Sequence, residues 1–303
     1  GTPSSLSVSN LNKFFEIISH IRRIDDAEIT FECNINDITE ELLIILKGNN
    51  VNRLSIGVES FNKRNLKLMN RNHTKKDIFN KINLCKRLGF NNINVDLIYA
   101  LPDESLFTLK NDLSTMLKLG VTHISTYSLI IEEHTVLYNN NTKPIDELLD
   151  FKMYKYICKK LKKRGFHHYE VSNFSLKGYE SKHNLIYWDN NEYYGFGLGA
   201  HGYINEMRYE NTRNFNKYLN GKYRLNELLV STQEEMENEV ILGLRKLDGI
   251  SISEFSNRFK RDIFDVFKLD EAIKRKYLIV NGDKIYIPED KIYVMNEIIN
   301  MIL

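Results

Sequence analysis

Four short apolar segments of the chain have carboxylate or hydroxyl side chains within them or at their ends, and these side chains can exchange hydrogen bonds with a polar ligand. The clearest is Asp96, which stands between Val95 and Leu97 in NINVDLIYA. A carboxylate there is costly to bury unless a partner or ligand stabilises it. Glu32 in AEITFEC and Glu59 in RLSIGVES hold comparable places, and HISTYSL is the fourth segment. One such carboxylate alone could equally face water or cap a helix, but four segments together predict one polar site.

The elements that must position these side chains repeat in one pattern: helix, glycine, then strand. The pattern occurs four times, turning at Gly48, Gly89, Gly120 and Gly165. Glycine just past a helix takes the left-handed C-cap conformation without steric cost. The repeat predicts a parallel sheet covered by helices, either a closed barrel or an open doubly wound sheet. Ligands of such folds bind at the carboxyl ends of the strands, where the polar residues lie.

Composition excludes several classes of partner. The 303 residues carry 42 Lys+Arg against 40 Asp+Glu, a net charge of +2, which does not favour nucleic-acid binding. No apolar run approaches a membrane span, so we expect at most peripheral membrane association. Cys33, Cys85 and Cys158 lie far apart and indicate neither a disulfide framework nor a zinc site. A reducing, cytoplasmic setting is therefore expected.

The ordered motifs GTPS, ITFEC, RLSIGVESFN, LMNRNHT, NVDLIYALP and ISTYSL resemble a known family. They are similar to the radical S-adenosylmethionine enzymes related to oxygen-independent coproporphyrinogen dehydrogenase. A later stretch, HYEVSNFSLKGYESKHNLIYWDNNEYYGFGLGAHGY, resembles the HemW branch of heme chaperones through its HNxxYW and GxGAH motifs. The resemblance extends from residue 1 to the C-terminus.

The resemblance implies an α/β fold, a partial (β/α)6 barrel that lacks its first strands, followed by a small helical, winged-helix-like C-terminal domain. We expect the partial barrel over residues 1–173, an extension with the HNxxYW and GxGAH motifs over 174–232, and the C-terminal domain over 233–303. Residues 233–303 carry 11 Lys+Arg and 14 Asp+Glu, a net charge of −3. A negative net charge opposes binding of nucleic acid by the predicted winged-helix-like domain.

The resemblance also implies a site for S-adenosylmethionine. Two residues depart from the family's pattern: Glu59 replaces the common glutamine, and Ala100 replaces the glycine of GLP. Glu59 can still accept from ribose hydroxyls but disfavours a nearby carboxylate, so reduced affinity is an expectation. The guanidinium of Arg71 suits the carboxylate of the methionyl group. The residues that the resemblance assigns to this cofactor are Gly1, Thr2, Pro3, Glu32, Glu59, Arg71, Asp96 and Ser128.

A [4Fe-4S] cluster belongs to the same resemblance. When bound, it supplies the electron that cleaves the sulfonium and generates a deoxyadenosyl radical, and three thiolates must hold it. The family's Cys-x3-Cys-x2-Cys loop is expected upstream of residue 1, so the chain as it stands is expected to bind no cluster and generate no radical. Cys33, Cys85 and Cys158 are interpreted as buried structural residues.

For heme, the candidates are His183 in KHNLIYWDN and His201 in GAHGY, since either could ligate iron or bond a propionate. Each could equally be a structural histidine that braces a turn. Gly197, Gly199 and Gly202 spell GxGxxG, but neither a helix face nor a second strand follows, so nicotinamide binding is rejected.

The sequence thus predicts a chaperone that binds heme, S-adenosylmethionine and, in full-length form, the cluster, and that delivers heme to acceptor proteins such as respiratory enzymes. The alternative is oxygen-independent coproporphyrinogen dehydrogenase. A binding protein without radical chemistry is the third possibility.

Overall fold

The computed structural model describes residues 2–303, which divide into two compact units. The first contains the residues up to 168 together with 172–180. The second contains 169–171 together with 181–303.

A six-stranded sheet in the order β1-β2-β3-β4-β6-β5 organises the first unit. Strands β1 to β4 are parallel neighbours, which confirms the predicted repeat. The expectation of a parallel sheet is wrong beyond β4, because β6 pairs with β4 in the antiparallel direction. The strands are β1 (Thr30–Asn34), β2 (Arg53–Glu59), β3 (Asn92–Tyr99), β4 (His123–Ser128), β5 (His167–Glu170) and β6 (Asn173–Ser175).

Helices connect the strands and begin at side-chain caps. Thr74 and Asp77 form a reciprocal capping box at α4, and Ser105 accepts from the backbone N–H of Thr108 at α5. The helices are α1 (Val8–Ser19), α2 (Glu40–Gly48), α3 (Lys63–Leu68), α4 (Lys75–Arg87), α5 (Leu106–Met116), α6 (Val136–Asn139) and α7 (Glu147–Lys162).

Three of the four predicted glycine caps are confirmed by their left-handed conformation. Gly89, Gly120 and Gly165 have φ values of 83°, 60° and 83°. The prediction for Gly48 is wrong: this glycine ends α2, and Asn50 takes the left-handed conformation at φ 63°. Asparagine tolerates that region because its short polar side chain can hydrogen-bond locally.

The two faces of the sheet differ in character. Leu54, Ile56, Val95, Leu97 and Ile124 are fully buried on one face, and the apolar faces of α2, α4 and α5 are buried as well. This face carries the hydrophobic core of the first unit. Because strand side chains alternate, the residues between these positions share the opposite face, and most of them are polar.

The second unit contains two three-stranded sheets, β7-β8-β9 and β10-β12-β11. Hairpin β11–β12 forms as the sequence predicts, but its turn lies one residue later than the predicted Asn281-Gly282: Asn281 pairs with Lys284, so Gly282, with φ 59°, and Asp283 form the turn. The elements are α8 (Lys182–Trp188), β7 (His201–Ile204), β8 (Met207–Asn211), α9 (Phe215–Leu219), β9 (Arg224–Leu229), α10 (Thr232–Gly243), β10 (Ile250–Ser251), α11 (Ile252–Phe259), α12 (Ile263–Val266), α13 (Asp270–Lys274), β11 (Ile279–Asn281), β12 (Lys284–Tyr286) and α14 (Met295–Ile302).

The GxGxxG stretch forms a loop that leads into β7, whereas the dinucleotide fingerprint opens a helix. Gly197 and Gly199 have φ values of 97° and 65°. Gly202 lies under the ring of Tyr209, and a Cβ there would come within 2.1 Å of Tyr209 Cζ. These glycines therefore serve the backbone geometry of the loop.

None of the helices in the described part of the chain, residues 2–303, has the length and apolar character that a bilayer span requires.

Gly195 tests how tightly this loop is held. A Cβ at Gly195 would lie 1.9 Å from the backbone oxygen of His201, which cannot move without shifting β7. We expect Gly195→Ala to lower the free energy of unfolding by about 1–3 kcal/mol, measured by urea denaturation. Gly48→Ala is the control, since nothing lies within 4 Å of its added Cβ. Equal stabilities of the two variants would contradict this packing.

Candidate functional site in the first unit

The polar face of the parallel sheet is arranged in two rows across the strands. In the first row, Glu32 pairs with Ser55, Ser55 with Asn94, and Asn94 with His123. In the second row, two residues further along each strand, the neighbours are Asn34, Gly57, Asp96 and Ser125. The second row lies nearer the carboxyl ends, where parallel folds bind their ligands.

Asn94 connects the two rows. Its amide nitrogen donates to Ser55 Oγ at 2.9 Å and to Asp96 Oδ1 at 2.8 Å. Its oxygen accepts from Ser125 Oγ at 3.1 Å and lies 2.6 Å from His123 Nδ1. Burial, with a smaller effect of the Arg53 charge, holds the pKa of His123 well below its usual range. His123 is therefore neutral at pH 7, and Asn94 fixes the orientation of Asp96.

Glu59 ends β2 in a left-handed conformation, with φ 64°, next to a register shift between Gly57 and Glu59. Its Oε1 lies 2.9 Å from Nη2 of Arg71, whose Nη1 donates to Asn34 Oδ1 at 2.9 Å. Gly57 leaves the necessary space, since a Cβ there would lie 2.8 Å from Glu59 Oε1. A strained backbone at a strand end is typical of functional positions.

Burial raises the pKa of both carboxyl groups in this cluster. For Glu59, burial outweighs the opposing charge and hydrogen bond of Arg71. For Asp96, burial and then the negative charge of Glu59 raise the pKa to about 6, against the hydrogen bonds from Asn94 and Ser125. Glu32 adds a smaller effect of the same sign. The site is thus a cluster of acidic side chains with one guanidinium, that of Arg71, at its edge.

The N-terminal turn reaches the same strand end. Thr2 precedes a short 3-10 helix (Pro3–Ser5), and Ser4 Oγ accepts from the backbone N–H of Asn34 at 3.1 Å. Ser4 Oγ also donates to Asp37 Oδ2 at 2.7 Å. Thr2 and Pro3 therefore lie beside the residue that Arg71 contacts. Gly1 lies outside the described residues.

Ser128 stands apart from this cluster. It ends β4 and donates to Asp150 Oδ2 on α7 at 2.8 Å. The structure thus brings together Glu32, Glu59, Arg71 and Asp96, with Thr2 and Pro3 nearby, and gives Ser128 a different partner. The sequence interpretation missed Asn34, Asn94 and His123. For Asn34 and Asn94, the available signal was their position on the same face two residues after Glu32 and two residues before Asp96. His123 has no acidic neighbour at that spacing.

Ala100 adopts the conformation that its glycine counterpart would take freely. Its φ is 60°, and the residue is buried at the end of β3. The backbone N–H of Leu101 next to it donates to Glu104 Oε2 at 3.2 Å. Burial, as the largest effect, raises the pKa of Glu104 to about 7. Alanine is strained in this left-handed conformation because of its Cβ, and a glycine at this position would not be.

The cysteines do not form a metal site. Cys33 and Cys85 are buried on the core side, and Cys158 is half-buried in α7, more exposed than predicted. Burial raises the pKa of the Cys33 thiol far above its usual value and that of Cys85 to about 12, which disfavours the thiolate. Within residues 2–303, no group of three His, Cys, Asp or Glu side chains could hold a metal ion. The residues described here do not fit an iron-sulfur cluster.

The two histidine candidates belong to the second unit. His183 is exposed on α8, and its ring meets the Tyr187 ring edge-on with centroids 4.8 Å apart. His201 begins β7, and its Nε2 lies 3.9 Å from Glu210 Oε1. Trp188 of the same motif packs against Arg245, whose guanidinium carbon lies 5.6 Å from the ring centroid.

Comparisons with known proteins identify the class first. Residues 4–116 match the Radical SAM superfamily, and residues 230–290 match the HemN C-terminal domain. The solved structure of coproporphyrinogen III oxidase (HemN) from Escherichia coli superposes with a TM-score of 0.84 at 18% identity, covering 98% of this chain and 74% of that one. The fold is therefore that of a radical SAM protein with a HemN-type C-terminal domain.

Two curated relatives then specify the family. The proteins named heme chaperone HemW from Lactococcus lactis and Bacillus subtilis are each 37% identical over 100% of this chain and 83% of their own length. The namesake from Escherichia coli is 29% identical over 100% of this chain and 82% of its own. The chain belongs to the HemW family of the radical SAM superfamily.

The charge coupling in the site gives a first prediction. Because the Glu59 charge raises the pKa of Asp96, we expect Glu59→Gln to bring that pKa below 6 while the contact with Arg71 persists. The measurement is a carboxyl-carbon NMR titration of Asp96. Glu41→Gln, an exposed substitution on α2, is the control. An unchanged or increased pKa in Glu59→Gln would show that the two carboxylates do not interact.

Stability should depend on pH through Asp96. A folded pKa of about 6, above the unfolded value of 3.8, means that the folded state binds the proton more tightly. Stability from this group is thus full below pH 4 and is lost as pH rises through 6. We expect Asp96→Asn to exceed the wild type in unfolding free energy by roughly 2–3 kcal/mol at pH 7, with little difference at pH 4. The measurement is urea denaturation at both pH values, with Asp25→Asn as the control. A gain in unfolding free energy that is absent or independent of pH would contradict this prediction.

Proposed function

We propose that this chain is a heme chaperone that binds heme and S-adenosylmethionine and passes the heme to acceptor proteins. The observation that carries the proposal is the similarity of the whole chain to proteins named heme chaperone HemW, at 37% identity. The coproporphyrinogen III oxidase HemN shares the fold at only 18% identity, which supports architecture and not activity. The dehydrogenase alternative therefore has less support.

The proposed cofactor site is the acidic cluster with Arg71 at its edge. Carboxylates such as Glu59 and Asp96 accept hydrogen bonds from ribose hydroxyls, and a guanidinium pairs with an amino-acid carboxylate. Arg71 uses one nitrogen on Glu59 and one on Asn34, which leaves further N–H donors of its fork for a ligand. These donors and acceptors fit S-adenosylmethionine. We assign Thr2, Pro3 and Glu32 to the same site because they lie on its border, and we retain Gly1 and Ser128 as sequence-based assignments.

The described residues contain no donor set for the [4Fe-4S] cluster, and the Cys-x3-Cys-x2-Cys loop expected before residue 1 stays a prediction. For iron ligation we propose His183, which is exposed on α8 within the HNxxYW motif, with His201 as the second candidate.

The experiment is a hemin titration followed by transfer to an apo-hemoprotein. We expect a Soret band on addition of hemin, and a movement of that heme to the acceptor. His183→Ala should weaken hemin binding at least tenfold, about 1.4 kcal/mol, and shift the band because the iron loses a ligand. His20→Ala, which removes a histidine at the end of α1, is the matched control.

Three results would count against parts of this account. Absence of any hemin binding by the wild type would overturn the proposed function. An unchanged titration in His183→Ala would exclude that ligand and direct the same test to His201→Ala. Formation of protoporphyrinogen from coproporphyrinogen by the anaerobic protein from its complete reading frame would favour the dehydrogenase.

A further inference from the structure

A cavity of about 800 Å³ lies within the second unit, and the described residues that line it include neither His183 nor His201. Its volume falls in the range of about 300–1,000 Å³ that small-molecule sites occupy. Its walls come from the glycine-rich loop before β7, from β8, and from the segment between α9 and β9. Apolar surface predominates, and most of it is aromatic.

Exposed aromatic side chains form one wall. The side chains of Tyr194 and Phe196 are 68% and 79% exposed, and their rings are near-parallel, with centroids 5.9 Å apart. Tyr218 and Tyr223 also line the cavity, and their rings meet edge-on with centroids 4.9 Å apart. Large aromatic groups left in water on a rigid surface mark a binding site for an apolar or aromatic ligand.

The wall is held rigid by the β7-β8 sheet. The Tyr209 hydroxyl accepts from the backbone N–H of Gly195 at 2.8 Å, and the Asn211 amide donates to the carbonyl of Gly197 at 2.9 Å. The Tyr218 hydroxyl accepts from the N–H of Gly197 at 3.0 Å. The loop is thus fixed at both glycines, which presents the rings between them without a large entropic cost on binding.

Cations border the aromatic wall. Arg224 lies with its guanidinium carbon 3.6 Å from the Tyr209 ring centroid, and its Nη1 donates to Asn211 Oδ1. Its Nε pairs with Glu227 Oε1 at 3.1 Å, a residue that does not line the cavity, so this charge is partly neutralised. Lys222 is exposed at the rim. None of the described residues that line the cavity is acidic. The pocket therefore suits a flat aromatic ligand that carries carboxylates.

We propose that this aromatic cavity binds the porphyrin macrocycle, with Tyr194 and Phe196 against the ring and Lys222 and Arg224 facing the propionates. The inference rests on the proposed function, since heme supplies both the flat ring and the two carboxylates. It assigns macrocycle recognition to residues other than the proposed iron ligand. His201 lies on the other face of its sheet, because its cross-strand neighbour Glu210 alternates with Tyr209.

The test uses metal-free protoporphyrin IX, which needs no iron ligand, in an equilibrium fluorescence titration. We expect the double variant Tyr194→Ser, Phe196→Ser to bind it at least tenfold more weakly than the wild type. Lys222→Glu should weaken binding about threefold or more, with an effect that decreases at high salt. His183→Ala should bind the metal-free porphyrin as the wild type does.

Matched controls are available in the same unit. Phe264→Ser removes a partly exposed aromatic ring from α12, and Lys274→Glu reverses a charge on α13, and neither residue lines the cavity. Both should bind like the wild type. Because the replaced side chains are exposed, we expect the cavity variants to remain folded, and circular dichroism checks this.

The outcomes separate this inference from the proposed function. If the wild type binds hemin and protoporphyrin IX and the cavity variants retain wild-type affinity for the latter, the cavity assignment is overturned and the chaperone function is not. If the wild type binds hemin but no metal-free porphyrin, the assignment is overturned as well. If the wild type binds neither, the proposed function itself fails.

Discussion

The arrangement of the first unit depends on the electrostatic cost of placing Glu59 and Asp96 close together on one face of a parallel sheet. Each carboxylate loses hydration there, which raises the pKa of both, and the charge of Glu59 raises the pKa of Asp96 further. One guanidinium, that of Arg71, offsets part of the cost. Gly57 provides the space for this pair, and Glu59 reaches it only in a left-handed conformation. A fold selected for stability alone would have little reason to keep this cluster.

A ligand that donates hydrogen bonds and carries positive charge would relieve that cost. The hydroxyl groups of a ribose and a sulfonium are groups of this kind, which agrees with the family's cofactor. Glutamate at position 59 in place of glutamine increases the negative charge and occupies part of Arg71. We therefore propose that Glu59 favours the cationic and hydroxyl-bearing parts of the ligand over its carboxylate.

Much of the fold followed from local rules that the sequence displays directly. The three glycine caps that form, the Thr74 capping box and the hairpin at Gly282 depend on residues close together in the chain. Asp96 was detectable because a carboxylate within an apolar strand contradicts its surroundings. The antiparallel β6 was not detectable, because three residues, Asn173–Ser175, carry too weak a periodic signal.

The missed site residues have a common physical reason. Asn94 and His123 act through contacts between strands that are 29 residues apart in sequence, so only the register reveals them. Asn34 matters because Arg71, from a loop after α3, extends to it. Ser128 was expected in the cluster from its place at a strand end, but Asp150 on α7 supplies its partner. Motifs thus indicated which strand ends carry the site, and tertiary packing decided which side chains meet.

The most direct test of the cofactor site is equilibrium binding of S-adenosylmethionine by calorimetry to wild type, Arg71→Ala and Arg64→Ala. Arg64 is the matched control, because it forms an exposed ion pair with Asp103. The account predicts that Arg71→Ala loses at least tenfold in affinity, about 1.4 kcal/mol, while Arg64→Ala binds like the wild type. A folded Arg71→Ala variant with wild-type affinity would contradict the assignment of the cofactor to this face of the sheet.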